Sequence, residues 1–108
     1  MSNSESESVF VNAMEADPSR YPELVSILTK GNDTVIRHRD GFNSAMIAAT
    51  PDQSRVVTVA RWKRTDAMKA LQGDPVVLEY ARRSAAIARP TQGVFTLVAE
   101  YRPDGAHF

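Results

Sequence analysis

The sequence predicts one α+β domain whose elements follow in the order β-α-β-β-α-β, and three observations predict it. Four short stretches are rich in strand-forming residues. Two longer stretches carry an apolar stripe of helical period, and turn signals built on Pro, Gly and Asp separate them all. At 108 residues, 43% apolar and 24% charged, the chain has room for one core, and disorder is not its default.

Residues 9–14 (VFVNAM) read as the first strand, stopped by Asp17-Pro18. A helix is predicted over 19–39, with Tyr21, Leu24, Val25, Leu28, Val35 and Ile36 on one stripe. Pro18 and Pro22 suit its first turn, where a missing N–H costs nothing. Gly31 and Asn32 share that stripe. A small residue beside an amide on a buried face leaves a gap with a polar wall, or accommodates a close neighbour. Gly41 closes the helix, and 42–50 (FNSAMIAAT) read as the second strand. Pro51-Asp52-Gln53-Ser54 form a tight turn into the third, 55–62 (RVVTVARW), giving a hairpin.

Thr65 and Asp66 offer a cap to a short helix over 67–71. Gly73 breaks it, and Asp74 caps a longer helix whose first residue is Pro75. Val77, Tyr80, Ala81, Ser84 and Ile87 lie on one face of that helix. Residues 90–93 (PTQG) end it, and 94–102 (VFTLVAEYR) read as the last strand. This is the split βαβ arrangement of ferredoxin-like folds, expected over 9–103 with a disordered tail at 1–8 and another tail at 104–108.

Thirteen basic and thirteen acidic residues cancel, so no net field gathers nucleic acid or an anionic membrane, and neither is expected as a partner. The absence of cysteine removes disulfides, thiolate catalysis and cysteine-held metal. The start (SNSESES) lacks the basic and apolar stretches of a signal peptide, and no apolar run approaches the roughly 20 residues of a membrane span. A cytoplasmic location is the expectation.

On the third strand Val56, Thr58, Ala60 and Trp62 face one way, and Val57, Val59 and Arg61 the other. Both faces are largely apolar, yet two crossover helices can cover only one face of a four-stranded sheet. Pairing two open faces by two-fold symmetry predicts a homodimer.

Several stretches, taken in order, resemble the antibiotic biosynthesis monooxygenase superfamily of dimeric α/β barrels over about residues 9–103. Gly41-Phe42 open the second strand, and VVTVARWKRTDAMKAL follows over 56–71. Gly73-Asp74-Pro75 and Tyr80 continue the pattern. The resemblance is nearest to small monooxygenases that oxidise polyketide anthrones and related phenols to quinones. It implies that Trp62 lines the pocket. Those enzymes commonly carry an asparagine where this chain has Thr58, a tyrosine or other polar group near Met68, and an arginine near Ala81, which Arg82 follows here. Haem-degrading relatives use an asparagine that Asn12 could match, but Leu71 and Tyr80 stand near the places of their tryptophan and histidine. Quinol-oxidising relatives often have a histidine where this chain has Val76.

The function implied is cofactor-independent oxidation of a small aromatic, phenolic or quinol-type substrate by dioxygen, with no metal and no organic cofactor. A deprotonated phenol or anthrone can itself reduce dioxygen, so the protein need only exclude water, hold the ring and stabilise the developing anion. Trp62, Thr58 and Asn12 are the candidate catalytic residues. Trp62 could stack on a flat ring and donate its N–H, Thr58 shares its face, and Asn12 brings an amide into an apolar strand beside Phe10 and Met14. Tyr80, Met68, Asn32 and His38 are candidate substrate-binding residues. His38 is attractive as a base, but a histidine at a helix end commonly satisfies the last carbonyls instead. Its neighbours Asp33 and Asp40 lack metal-ligand spacing. Two alternatives stay open: a ligand-binding member of the fold without redox chemistry, and a non-redox polyketide cyclase or isomerase. No nucleophile elbow, phosphate loop or dinucleotide fingerprint is present.

Overall fold

The computed structural model describes residues 7–104. The first strand, β1 (Ser8–Glu15), is followed by a 3-10 turn over Pro18–Arg20 and the helix α1 (Tyr21–Thr34). A second 3-10 turn over Ile36–His38 leads to the hairpin of β2 (Phe42–Ala49) and β3 (Arg55–Trp62). Two consecutive helices, α2 (Thr65–Gln72) and α3 (Pro75–Ala85), precede β4 (Arg89–Thr96). The four strands form one antiparallel sheet in the order β2-β3-β1-β4. This is the ferredoxin-like α+β fold that the sequence predicts. Residues 1–6 and 105–108, which hold most of the two expected tails and His107, lie outside the described residues.

The largest departure from the sequence reading is the last strand. Residues 90–93, read as the end of a helix, lie inside β4, and 97–102 lie beyond it. The length of β1 sets this register, because Ser8 pairs with Thr96 and Glu15 with Arg89. β4 is an edge strand, where a proline is tolerated because one side of the strand makes no ladder bonds. Gly93 is needed for a different reason. A Cβ there would lie 2.8 Å from the Phe95 ring, which folds over the glycine. Among the described residues, 97–101 add one further bond next to this ladder, from Leu97 N–H to the Glu7 carbonyl at 3.1 Å.

The first helix is shorter than its periodicity suggested. Val35 takes a non-helical conformation (φ −126°, ψ −64°), so Val35 and Ile36 leave the stripe of α1. Thr65 and Asp66 do not cap α2; both lie within it, and Arg64 occupies the cap position without a side-chain bond. Their side chains are otherwise engaged, Thr65 with the Ser8 hydroxyl at 2.7 Å and Asp66 with Arg64 Nε at 3.0 Å. Asp74 does cap α3, accepting from Val76 N–H at 3.0 Å, and its other oxygen pairs with Arg39 at 2.7 Å. Helix α3 stops before Ile87.

The helices cover the sheet face that bears Phe10, Asn12, Met14, Val56, Thr58, Ala60 and Trp62. Two apolar clusters form there. Met14, Leu24, Val56 and Ala88 pack at one end, and Ala60, Trp62, Ala67 and Met68 at the other. Full burial of side chains such as Leu24 and Val56 stabilises the fold by about 1.5–3 kcal/mol each. Between the clusters runs a row in which Thr58 of β3, Asn12 of β1 and Gln92 of β4 stand directly opposite one another. A polar seam therefore divides the core.

Candidate functional site

A cavity of about 360 Å³ lies over this seam. Phe10, Asn12, Thr58, Ala60, Trp62 and Gln92 form its floor, and α1, α2 and α3 form its walls and roof. Six of the seven residues singled out from the sequence line it: Trp62, Thr58, Asn12, Tyr80, Met68 and Asn32. His38 does not. It sits exposed in the 3-10 turn, where its Nε2 donates to the Asp33 carbonyl at 3.1 Å. The histidine thus takes the helix-end role rather than a place at the cavity.

Trp62 is fully buried, its ring standing edge-on to Phe42 with centroids 5.4 Å apart and planes at 86°. The two residues are cross-strand partners at the start of β2 and the end of β3. Gly41, just before Phe42, has φ +82°, and a Cβ there would lie 2.4 Å from the Ala67 Cβ. The glycine thus lets the hairpin approach α2, next to the Met68 that lines the cavity. On the opposite wall Gly31 serves Tyr80, whose Cγ and Cδ1 lie 3.2 Å from where a glycine Cβ would be. The guanidinium of Arg83 lies 5.4 Å from the centroid of the same ring.

Four buried side-chain atoms have no hydrogen-bond partner among the described residues: Trp62 Nε1, Thr58 Oγ1, Asn12 Oδ1 and Asn32 Oδ1. All four belong to residues that line the cavity. Leaving a buried polar group unbonded costs about 1–3 kcal/mol, so four in one place weigh against a purely structural core. Nearby groups show the ordinary arrangement. The Ser84 hydroxyl donates to the Ala81 carbonyl at 3.0 Å, and Asn32 Nδ2 donates to the Leu28 carbonyl at 2.8 Å. That second bond fixes the Asn32 amide, so its oxygen is left as a pure acceptor.

The electrostatics of the lining are simple. No Asp, Glu, His, Lys or Arg among the described residues lines the cavity, and Tyr80 is its one ionisable residue. Its hydroxyl makes no hydrogen bond among the described residues. No group of three or more His, Cys, Asp or Glu side chains stands close enough to hold a metal ion among them. Strong charge pairing occurs elsewhere. On the open face of the sheet Arg61 binds Glu7 at 2.7 Å and Glu100 at 3.0 Å, and these bonds raise its already high pKa.

Sequence reasoning missed Gln92, because the misplaced last strand put it in a turn. It also missed Ile27, Ile36, Leu71, Val77 and Leu78 as lining residues. These are apolar helix and turn positions with no chemical signature of their own.

Fold and cavity together define a ferredoxin-like protein with a partly enclosed, mainly apolar site carrying a few polar groups unpaired among the described residues. No protein-family model matches the chain. It is 29% identical over 80 residues to the tetracenomycin-F1 monooxygenase of Streptomyces glaucescens, covering 74% of this chain and 71% of that one. The crystal structure of SnoaB, a cofactor-independent oxygenase from Streptomyces nogalater, superposes with a TM-score of 0.79 at 23% identity over 88% of this chain and 96% of that one. The monooxygenase ActVA-Orf6 of Streptomyces coelicolor, solved in complex with nanaomycin D, gives a TM-score of 0.80 at 25% identity over 93% and 95%. The chain is similar in sequence to the first of these monooxygenases and in fold to both oxygenases. No described helix is long and apolar enough to cross a membrane.

Proposed function

We propose that the protein is a cofactor-independent monooxygenase that oxidises a small, electron-rich, oxygen-bearing aromatic with dioxygen. The observation that carries this reading is the set of four polar atoms, unpaired among the described residues, around one apolar cavity. Trp62 Nε1 can only donate, the two asparagine oxygens can only accept, and the Thr58 hydroxyl can do either. A ligand satisfying them offers carbonyl or phenolate oxygen to the indole and hydroxyl hydrogen to the amides. Hydroxylated anthrones, naphthols and quinols have that chemistry and the flat apolar body that the remaining lining accepts. The likeness to tetracenomycin-F1 monooxygenase and to a cofactor-independent oxygenase supports the same reading.

The overall reaction balances without an outside reductant. A ring methylene and dioxygen give a ring carbonyl and water, all electrons coming from the substrate. Ionisation of the phenol or enol starts it. The anion transfers one electron to dioxygen, the radical pair combines to a hydroperoxide, and loss of water leaves the quinone. The protein's part is to keep the ring from bulk water and to aim the Trp62 N–H and Thr58 O–H at the oxygen where charge develops. Tyr80 is the one lining residue able to exchange a proton.

The same reading takes the working unit to be a homodimer joined through the uncovered sheet face. Val9, Val11, Val57 and Val59 form a half-buried stripe there, and Met46 and Phe95, cross-strand partners of Val59 and Val9, are 60% and 55% exposed. Light scattering at low micromolar concentration should give twice the chain mass. A single chain mass would refute the dimer.

Oxygen uptake by chelator-treated protein, given anthrones, naphthols and quinols, tests the chemistry. Uptake in step with substrate loss, with product gaining one oxygen and losing two hydrogens, is expected. Trp62→Phe should lower that turnover while leaving the dimer intact. A second reading, a ligand holder without redox chemistry, is favoured by Thr58 standing where the resemblance expects an asparagine, and by Met68 and Ala81 standing where it expects polar or charged groups. It predicts saturable quenching of Trp62 with no uptake, whereas a cyclase or isomerase would return product of unchanged mass.

A further inference from the structure

Thr58, Asn12 and Gln92 occupy one cross-strand row on the covered face of the sheet. Neighbouring strands lie about 4.8 Å apart, so the row spans roughly 10 Å of cavity floor. Its exposure is graded. Thr58 and Asn12 are buried, while Gln92 lines the same cavity but is exposed to solvent. Leu78 and Ala81 of α3 and Gln72 of α2 are also both lining and exposed. The cavity is therefore open to solvent along α2, α3 and the edge strand β4, with Gln92 on the β4 side of its mouth.

Gln92 is the odd residue of its surroundings. Its neighbours on the same face of β4 are Pro90 and Val94, and Leu78 and Ala81 line the same cavity, so its amide is the one polar group that β4 brings to an apolar stretch of the lining. That amide makes no hydrogen bond among the described residues. It offers both a donor and an acceptor to whatever passes or occupies the mouth. Trp62, Thr58 and Asn12 carry unpaired groups in the buried part of the cavity, where the proposed function has them hold one oxygen-bearing end of a flat ligand. Gln92 is placed to hold the other.

We propose that Gln92 is a specificity-determining residue: its amide hydrogen-bonds an oxygen substituent on the outer ring of a bound aromatic. The cavity thereby selects molecules with oxygen at both ends of the ring system over those with oxygen at one end. This rests on the reading of the cavity as an aromatic-substrate site. It does not depend on what happens to the ligand once bound.

The test is calorimetric titration of the full chain with two probes, a naphthol with one hydroxyl and a dihydroxynaphthalene with hydroxyls at opposite ends. The native protein should bind the diol about tenfold more tightly, the contribution of one added hydrogen bond. Gln92→Leu should abolish that preference, the loss falling on the diol rather than on both probes alike. Gln92→Glu, which still accepts a bond from the outer hydroxyl, should keep it. Equal affinities in the native protein, a preference that survives Gln92→Leu, an equal loss for both probes, or no binding of either would each overturn the assignment. Oxygen uptake measured on the same samples separates the two questions. A Gln92-dependent preference without uptake sinks the oxygenase reading and leaves the specificity role standing.

Discussion

Gly31 of α1 packs against the side chain of Tyr80 on α3, and a Cβ at that glycine would come within 3.2 Å of two ring carbons. The contact sets how closely the two helices approach over the cavity. It also holds in place the one ionisable side chain that the cavity presents among the described residues.

Gly31→Ala therefore separates stability from function. Alanine raises helix stability by about 1 kcal/mol, which offsets the crowding of a ring that must yield by only a few tenths of an ångström. The unfolding midpoint should move little, while the displaced Tyr80 weakens naphthol binding by about threefold or more. Calorimetry of unfolding and of binding on one variant checks both halves, and unchanged binding would detach Tyr80 from the site.

Thr58→Val keeps the shape of the side chain and deletes a buried hydroxyl without a partner among the described residues. The variant should be more stable than the parent by about 1 kcal/mol in urea denaturation, and less active in oxygen uptake. A loss of stability would mean that the hydroxyl has a structural partner after all.

Gly41→Ala should be costly. The added methyl meets the Ala67 Cβ at 2.4 Å on a backbone with φ +82°, so steric clash and backbone strain act together. Denaturant unfolding should report a loss of about 3 kcal/mol. A loss below about 1 kcal/mol would show that the hairpin moves freely over α2.

On the open face, hydrogen bonds from Arg61 and then Arg102 hold the Glu100 carboxyl below its ordinary pKa of 4.5. The folded value lies below the unfolded one, so the stabilisation is fully present above that ordinary value and fades as pH falls through the folded value. Thermal midpoints followed downward from pH 4.5 should fall more steeply for the native protein than for Glu100→Gln. Parallel curves would show that the pair contributes nothing.

Much of the site is legible in the residue pattern because strand alternation is a local property. Val56, Thr58, Ala60 and Trp62 occupy every second position of β3, and any sheet places them on one face. Asn12 follows from β1 in the same way, and Asn32 and Tyr80 from helical spacing, while Met68 is indicated only by the family resemblance. His38 misleads because its chemistry suggests a base, while its position after the helix gives it the Asp33 carbonyl as a partner.

By itself the sequence determined the element order, the covered face of β3, the Asp74 cap and the apolar character of both sheet faces. Each rests on residues within a few positions of one another. Only the tertiary structure decided the register of β4, and with it the place of Gln92. The Pro-Thr-Gln-Gly run of 90–93 has turn chemistry, and it becomes strand because β1 offers Met14, Ala13, Asn12 and Val11 as partners while Gly93 makes room for Phe95. Local preference is worth about a kilocalorie per mole or less per residue, and a strand that completes an existing sheet overrides it. The unpaired atoms that mark the cavity are likewise tertiary, because whether a buried group finds a partner depends on what distant segments bring to it.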